Sequence, residues 1–165
     1  MEQADAIVLS TATRQKLVTE ALGWFRDGRA PQIVLLNGET QPTERAGITE
    51  PTRVVLQRQL QTAGVPDSAV VVVGHELSSL DEDFTALRGW AQSNRAHRLL
   101  VPVEPFVTRR VAWFGQRMLA PVDARIMAVP VPVPDYSVTE WWRNKEGLIA
   151  FENEWVMMLS YWLRY

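Results

Sequence analysis

The sequence contains no cysteine, and it contains only two histidines among its 165 residues. The absence of cysteine excludes disulfides, thiolate catalysis and Cys-ligated metal. The two histidines, His75 and His97, are expected at opposite edges of the domain, so we predict no metal site. His75-Glu76 resembles the start of the zinc-binding motif H-E-x-x-H, but Ser79 stands where the second histidine is required.

Sequence motifs that bind phosphate or activate a serine are also missing. There is no G-x-G-x-x-G after the first predicted strand, no P-loop pattern and no G-x-S-x-G elbow.

The net charge of -2 gives no general attraction to nucleic acid, so we expect no nucleic-acid partner. We expect neither a signal peptide nor a transmembrane helix, since no long apolar run occurs. The expected location is the cytoplasm, with the soluble part of an envelope-anchored protein as the alternative.

What the sequence does contain is a regular alternation of short apolar runs and helix-spaced stretches. Hydrophobic residues make up 47% and charged residues 22%, as in a globular protein, and residues 1–165 are most simply one domain. This order predicts a three-layer, Rossmann-like α/β domain of about five mostly parallel strands, with helices on both faces and a Trp-rich C-terminal helix. The predicted strands are 6–9, 33–36, 69–73, 99–103 and 125–129.

Several local signals predict where the helices begin and end. Thr49 is expected to cap the second helix, with Pro51 in its first turn. Residues 39–48 and 74–78 are expected to be loops. Ser79, followed three residues later by Glu82, predicts a capping box. Gly147 is expected to interrupt the C-terminal helical region, which then ends near Tyr161.

Seven tryptophans are present, and most of them lie in the last third of the chain. Trp141 and Trp142 follow a proline-rich run and are expected in the core, with an aromatic wall over a ligand as the alternative. Trp155 and Trp162 are seven residues apart, which predicts packing on one face of a helix. A homo-oligomer formed through this helix is the alternative for that pair.

The loops that follow parallel strands meet at one edge of the sheet, where helix N-termini offer free N–H groups. We therefore place the ligand site at the carboxyl edge. The simpler reading of Glu50 and Glu82 is stabilisation by a helix dipole, and that of Arg109 and Arg110 is a solvated helix face. The functional reading is a mixed-charge, ligand-binding pocket formed by Arg14, Glu50, Glu82, Glu104, Arg109 and Arg110.

The order of these pieces resembles the bacterial YdcF-like and SanA-like family, a domain of unknown function, over nearly the whole chain. The resemblance begins with Asp5-Ala-Ile-Val-Leu and Arg14, and it continues through Gly28-Arg-Ala-Pro-Gln-Ile-Val and Glu50. Leu60 to Pro66 is typical of the family, and residues 103–111 resemble its T-S-x-x-H-x-x-R-A segment. Tyr136-Ser-Val-Thr-Glu-Trp-Trp and Glu154-Trp resemble its C-terminal end.

The chain also departs from the family pattern. The glycine cluster after strand one is Ser10-Thr-Ala-Thr here, and the Gly-Gly after strand two is Asn37-Gly38-Glu39. The Thr before the third helix is Leu80. In the central motif, Val103-Glu104 replaces Thr-Ser and Val107 replaces the histidine, while Arg110 keeps the family's arginine. These losses indicate a divergent member with a degraded or changed site.

The resemblance implies a role in bacterial envelope processes, and it makes S-adenosylmethionine a candidate cofactor because one branch of the family is associated with it. The first hypothesis is a domain that binds a nucleotide-like or phosphate-bearing small molecule. The second is a hydrolase or transferase acting on an envelope precursor, with Glu50 or Glu82 as the base. The third is a non-catalytic interaction module that uses the Trp-rich C-terminus. The losses in the central motif favour the first and third hypotheses.

Overall fold

The structure is a computed structural model, and it describes residues 3–165. Its centre is one five-stranded sheet in which every strand pairing is parallel. The strands are β1 (Ala6–Ser10), β2 (Ile33–Gly38), β3 (Val70–Leu77), β4 (Arg98–Val103) and β5 (Arg125–Pro130).

The strand order is β3-β2-β1-β4-β5, so the chain moves outward from β1 in one direction and then crosses back to add β4. The reversal lies between β1 and β4, where Ile7 is in register with Leu100. Loops leave these two strands in opposite directions, which opens a crevice at their carboxyl ends. This is the Rossmann-like arrangement that the sequence predicts.

The helices form two layers, one on each face of the sheet. Right-handed crossovers place α1 and α3 on one face, and the reversal of direction places α4 and α5 on the other. The side chains confirm this division, because two separate buried clusters join the sheet to α1 and α3 and to α4 and α5. The helices are α1 (Gln15–Arg26), α2 (Pro42–Arg45), α3 (Thr52–Thr62), α4 (Leu80–Asn94), α5 (Thr108–Leu119) and α6 (Lys145–Arg164).

Alternate residues of the central strands supply the two cores. On β1, Ile7 and Leu9 belong to the α1/α3 cluster, while Ala6 and Val8 belong to the α4/α5 cluster. The period of two follows from the pleat of a strand, and burial on both faces explains why β1 reads as an uninterrupted apolar run.

The carboxyl end of β3 differs from the sequence prediction. The strand continues through residues 74–77, which were expected to be a loop, and Leu77 pairs with Gly38 of β2. Gly74 and Glu76 adopt positive φ angles of +79° and +54° within this extension, and the pairing register shifts here. The polar sequence predicted a loop because it lacks the apolar pattern by which the rest of β3 is recognised.

Two predicted helix boundaries are also wrong. Pro51, not Thr49, precedes α3, and the Thr49 hydroxyl instead bonds the Thr43 hydroxyl at 3.0 Å. Gly147 does not interrupt α6 but lies in its first turn, where its N–H donates to the Asn144 cap at 2.7 Å. The predicted surface loop 39–48 contains the short helix α2.

The C-terminal helix crosses the carboxyl edge of the sheet and reaches the α4/α5 face. Near its start Phe151 stacks on Trp141 at a centroid distance of 3.9 Å, and near its end Tyr161 packs on Phe114 at 4.9 Å. Trp155 and Trp162 are not buried against the domain, contrary to the favoured prediction. Their exposed fractions are 60% and 69%. Trp142 is likewise exposed rather than in the core.

No helix within residues 3–165 has the length and apolar character needed to span a membrane.

Candidate ligand cleft at the carboxyl edge

An open cleft of about 440 Å³ lies at the carboxyl ends of β1, β2 and β3, beside the N-terminus of α4. Four separate segments form its walls, and most of the side chains that they contribute are hydroxylic or acidic. The lining residues are Ser10, Thr11, Ala12, Gly38, Glu39, Gln41, Thr52, Leu77, Ser78, Ser79, Leu80 and Asp83.

The loop after β1 is fixed by hydrogen bonds to its own hydroxyls and to β2. The Ser10 N–H donates to the Thr13 hydroxyl at 2.9 Å, and the Gly38 N–H donates to the Thr11 hydroxyl at 2.9 Å. A Cβ atom at Gly38 would approach that hydroxyl to 2.8 Å, so the close contact between the two loops requires a glycine. The neighbouring walls of the cleft are therefore tied together before any ligand binds.

The loop after β2 is fixed to β3 by one carboxylate. Glu76 accepts hydrogen bonds from the Thr40 N–H at 3.0 Å and from the Thr40 hydroxyl, and it pairs with Arg45 at 3.2 Å. The hydrogen bonds from Thr40, followed by Arg45, hold the pKa of Glu76 below its usual value. The left-handed backbone at Glu76 is thus accompanied by a network that holds the loop after β2 against β3.

The N-terminus of α4 forms the opposite wall of the cleft. Glu82, in the first turn of this helix, takes part in its capping hydrogen bonds. The Ser79 hydroxyl accepts from the Glu82 N–H at 3.3 Å, as the capping box predicts. The Glu82 carboxylate instead accepts from the N–H of Ser78 at 2.7 Å and from its hydroxyl at 3.0 Å. These bonds lower the pKa of Glu82. Glu82 therefore supports the wall of the cleft but is not among the residues that line it.

Asp83 is the more buried of the two titratable side chains that line the cleft, the other being Glu39. Burial, followed by the nearby charge of Glu82, raises the pKa of Asp83 to about 6. None of the described residues donates a hydrogen bond to its carboxyl group, while five hydroxyl-bearing residues share the same cleft. A carboxyl group with this pKa can accept a ligand hydroxyl or exchange a proton close to neutral pH.

Sequence reasoning missed Asp83, although the sequence contains a partial signal. Asp81, Glu82 and Asp83 are consecutive, and successive residues of a helix point about 100° apart. The three carboxylates therefore lie in different surroundings around the helix, and the capping pattern already assigns Glu82. The choice between Asp81 and Asp83 depends on the direction of α4 relative to the sheet, which the sequence does not contain.

Two of the predicted site residues meet at the crevice between β1 and β4. Arg14 Nε lies 2.9 Å from Glu104 Oε1, and a second nitrogen of Arg14 pairs with Asp135. Glu104 also accepts a long hydrogen bond from the Tyr136 hydroxyl at 3.4 Å. Burial and the Glu104 charge raise the pKa of Tyr136 to about 12. The cation that was expected to meet an anionic ligand here already has two carboxylate partners.

Arg110 is neutralised in the same way, by α6. It forms two hydrogen bonds to Glu154, at 2.8 and 2.7 Å, with only 12% and 16% of the two side chains exposed. Burial disfavours the charge of Arg110, but the hydrogen bonds that it donates to the Glu154 carboxylate outweigh this effect, and the pKa of Arg110 is raised overall. Arg109 lies on the exposed side of α5, next to Trp155 and Trp162.

Glu50 lies apart from the other predicted residues. It precedes α3 on the surface and pairs with Arg58 at 2.6 Å, and this hydrogen bond lowers the pKa of Glu50. The structure thus joins Arg14 with Glu104, and it separates this pair from Glu50 and from the cap at Glu82. Within residues 3–165, no cluster of three or more His, Cys, Asp or Glu side chains is arranged to hold a metal ion.

No protein-family profile and no curated protein matches this chain. Among solved structures, the chain is similar to a universal stress protein in complex with cAMP, with a TM-score of 0.45 and 13% sequence identity. The likeness covers 79% of this chain and 98% of that one. A likeness this distant says nothing about a ligand of this chain.

Proposed function

We propose that this chain is a small-molecule-binding, Rossmann-like domain whose ligand occupies the cleft around Asp83. The observation that carries the proposal is that Ser10, Thr11, Ser78 and Ser79 line the same cleft as one partly buried carboxyl group, to which no described residue donates a hydrogen bond. Such a set can hydrogen-bond several ligand hydroxyls while the fixed loops keep the donors and acceptors in position. The site requires a ligand that brings its own donors.

The charge of the cleft narrows the class of ligand. Its charged lining residues are Glu39 and Asp83, and no described lysine or arginine lines it. The acidic first turn of α4 also opposes a phosphate, although a helix N-terminus would otherwise attract one. We therefore favour a nucleoside-like ligand, either neutral or positively charged, over a phosphate-bearing one.

S-adenosylmethionine fits this description, because it combines a ribose diol with a positively charged sulfonium. Asp83 and the hydroxyls of Ser10 and Thr11 are the groups that would accept and donate hydrogen bonds to the diol. The cofactor supplies methyl-transfer chemistry where it is bound, and the chain's contribution proposed here is binding alone.

Membership of the YdcF-like family, with its link to the bacterial envelope, belongs to the same proposal. The positions at which that family carries its glycine cluster, its second glycine pair and its threonine are Ser10–Thr13, Asn37–Glu39 and Leu80 in this chain. Ser10, Gly38 and Leu80 all line the cleft. The resemblance and the geometry therefore point to the same edge of the sheet.

Thermal unfolding in the presence of S-adenosylmethionine, adenosine, ATP and inorganic phosphate tests the proposal. A ligand at one hundred times its dissociation constant adds about 2.7 kcal/mol, which corresponds to a rise in Tm of roughly 5–11 °C. We expect that rise with S-adenosylmethionine or adenosine, and not with phosphate. It should be lost in Asp83→Asn and kept in Asp81→Asn, the matched control on the same helical turn. No rise with any nucleoside would reject the cleft as the site, and an equal rise in Asp83→Asn would reject Asp83 as a ligand-binding group.

Catalysis is a second candidate, favoured by the titration of Asp83 near neutral pH. An acid or base with such a pKa is suited to proton transfer at physiological pH. Under this alternative Asp83→Asn still binds the ligand but no longer turns it over. Product analysis by mass spectrometry, run beside the binding measurement, separates the two functions.

A further inference from the structure

The outward side of α6 carries a mainly apolar stripe that the domain leaves largely exposed. Its members are Leu148, Glu152, Trp155, Leu159 and Trp162, which we call the α6 stripe. Trp155, Leu159 and Trp162 are 60%, 54% and 69% exposed. The spacing of the stripe alternates between four and three residues, which is the pattern by which one helix packs against another along its length.

The opposite side of α6 packs on the domain, and these contacts fix the orientation of the helix. Glu154 is held by Arg110, and both Tyr161 and Tyr165 pack on the buried ring of Phe114 at centroid distances of 4.9 Å. The exposed apolar side chains are thus presented by a helix whose orientation is fixed. A large apolar patch on a fixed element is typical of an interaction surface.

Two charged side chains accompany the stripe, and neither has a described partner. Glu152 is the one charged member of the stripe. Arg109 projects from α5 into a groove of about 360 Å³, which it lines together with Trp113, Trp155 and Trp162. One surface therefore offers an acidic group within the α6 stripe and a basic group beside it.

We propose that the α6 stripe binds a second copy of this chain, with the two α6 helices antiparallel about a twofold axis. When the axis passes between Trp155 and Leu159, Glu152 of each copy lies level with Trp162 of the other. Glu152 then approaches the partner's Arg109, which lies beside that tryptophan. A twofold interface must be complementary to itself, and this surface meets the condition in both shape and charge.

The charges also decide the direction of the helices. A parallel pair would bring the two Glu152 carboxylates into the same apolar layer, where like charges repel. The antiparallel pair instead forms two Glu152–Arg109 contacts, related by the twofold axis. This arrangement uses both groups that have no partner within one copy.

Sedimentation equilibrium over a wide range of protein concentration tests the proposal. The wild type is expected to be a dimer, and Arg109→Glu and Glu152→Arg are each expected to raise its dissociation constant by about tenfold or more. A mixture of the two variants is expected to form a heterodimer with the affinity of the wild type, because both intersubunit pairs regain opposite charges. Arg117→Glu, an exposed reversal on α5 that does not line the groove, is the matched control and should dimerise normally.

Circular dichroism of each variant establishes that the exposed substitutions leave the fold intact. A wild type that stays monomeric at every concentration overturns the proposal, whether or not it binds anionic vesicles or another protein. A dimer that survives Trp162→Asp also overturns it, because that substitution places a charge in the apolar contact. If the two charge-reversal variants fail to associate with each other, the antiparallel pairing is rejected.

Discussion

The guanidinium of Arg110 on α5 and the carboxylate of Glu154 on α6 meet through two parallel hydrogen bonds, at 2.8 and 2.7 Å. This pair fastens the C-terminal helix across the crevice between β1 and β4. A crevice of this kind is the usual ligand site of an open α/β sheet, but here its arginines already have partners within the chain. The available polar cleft lies to one side, at the ends of β1, β2 and β3.

Removing one partner of the Arg110–Glu154 pair should loosen α6. Glu154→Leu leaves a largely buried guanidinium without its anion, so we expect a loss of about 2–4 kcal/mol of unfolding free energy. Urea denaturation measures the loss, and hydrogen exchange should show it concentrated in residues 145–164. The double variant Arg110→Met with Glu154→Leu should lose less than the sum of the single variants. Strict additivity would mean that the pair does not act as a unit.

Asp83 should make the stability of the domain fall between about pH 4 and pH 6. Its pKa is about 6 in the folded state against 3.8 for the ordinary group, so the folded state holds the proton more tightly across this range. Stability therefore decreases as pH rises from 3.8 to 6 and then levels off. After allowance for solvent screening, we expect Asp83→Asn to raise the free energy of unfolding by about 1–3 kcal/mol at pH 7. We expect no difference in stability below pH 4. A pH-independent difference between the variant and the wild type would contradict this assignment.

Gly115 on α5 should tolerate no side chain. A Cβ atom there would lie 2.7 Å from the buried ring of Phe84 and 3.1 Å from Ile126, so Gly115→Ala should lose about 1–3 kcal/mol. Gly89 on α4 is the matched control, since a Cβ atom there has no neighbour within 4 Å. Gly89→Ala should raise the free energy of unfolding by about 0.5–1 kcal/mol, because alanine has less backbone freedom than glycine in the unfolded chain. Equal thermal shifts in the two variants would refute the packing at Gly115.

Asp5 should hold the start of β4 at the opposite edge of the sheet. One of its carboxylate oxygens accepts from the N–H groups of His97 and Arg98, at 2.7 and 2.8 Å. Asp5→Ala leaves both donors without this acceptor, and we expect a loss of about 1–3 kcal/mol in chemical denaturation. Asp27→Ala, which removes an exposed carboxylate, should change stability by less than about 0.5 kcal/mol. If the two substitutions cost the same, Asp5 has no special role in positioning β4.

The sheet could be predicted from local patterns in the amino-acid sequence. The apolar runs of β1, β2 and β4 are buried on both faces, and a run that is buried on both faces is visible without knowing its neighbours. The alternation of these runs with helix-spaced segments then led to parallel strands and to a site at their carboxyl ends. The extension of β3 over residues 74–77 could not be predicted, because these residues do not show the apolar pattern of a strand.

Which side chains meet depends on tertiary packing and could not be predicted from local patterns. Arg14 and Arg110 have the character of anion-binding residues in the sequence, but Asp135 and Glu154, which are distant along the chain, neutralise them. Asp83 differs from Asp81 only in the direction in which α4 presents it. Trp155 and Trp162 face outward because Glu154 and Tyr161 hold the other side of α6. Partners, directions and exposure depend on how distant segments pack, whereas the period of a strand or helix is a local property of the chain.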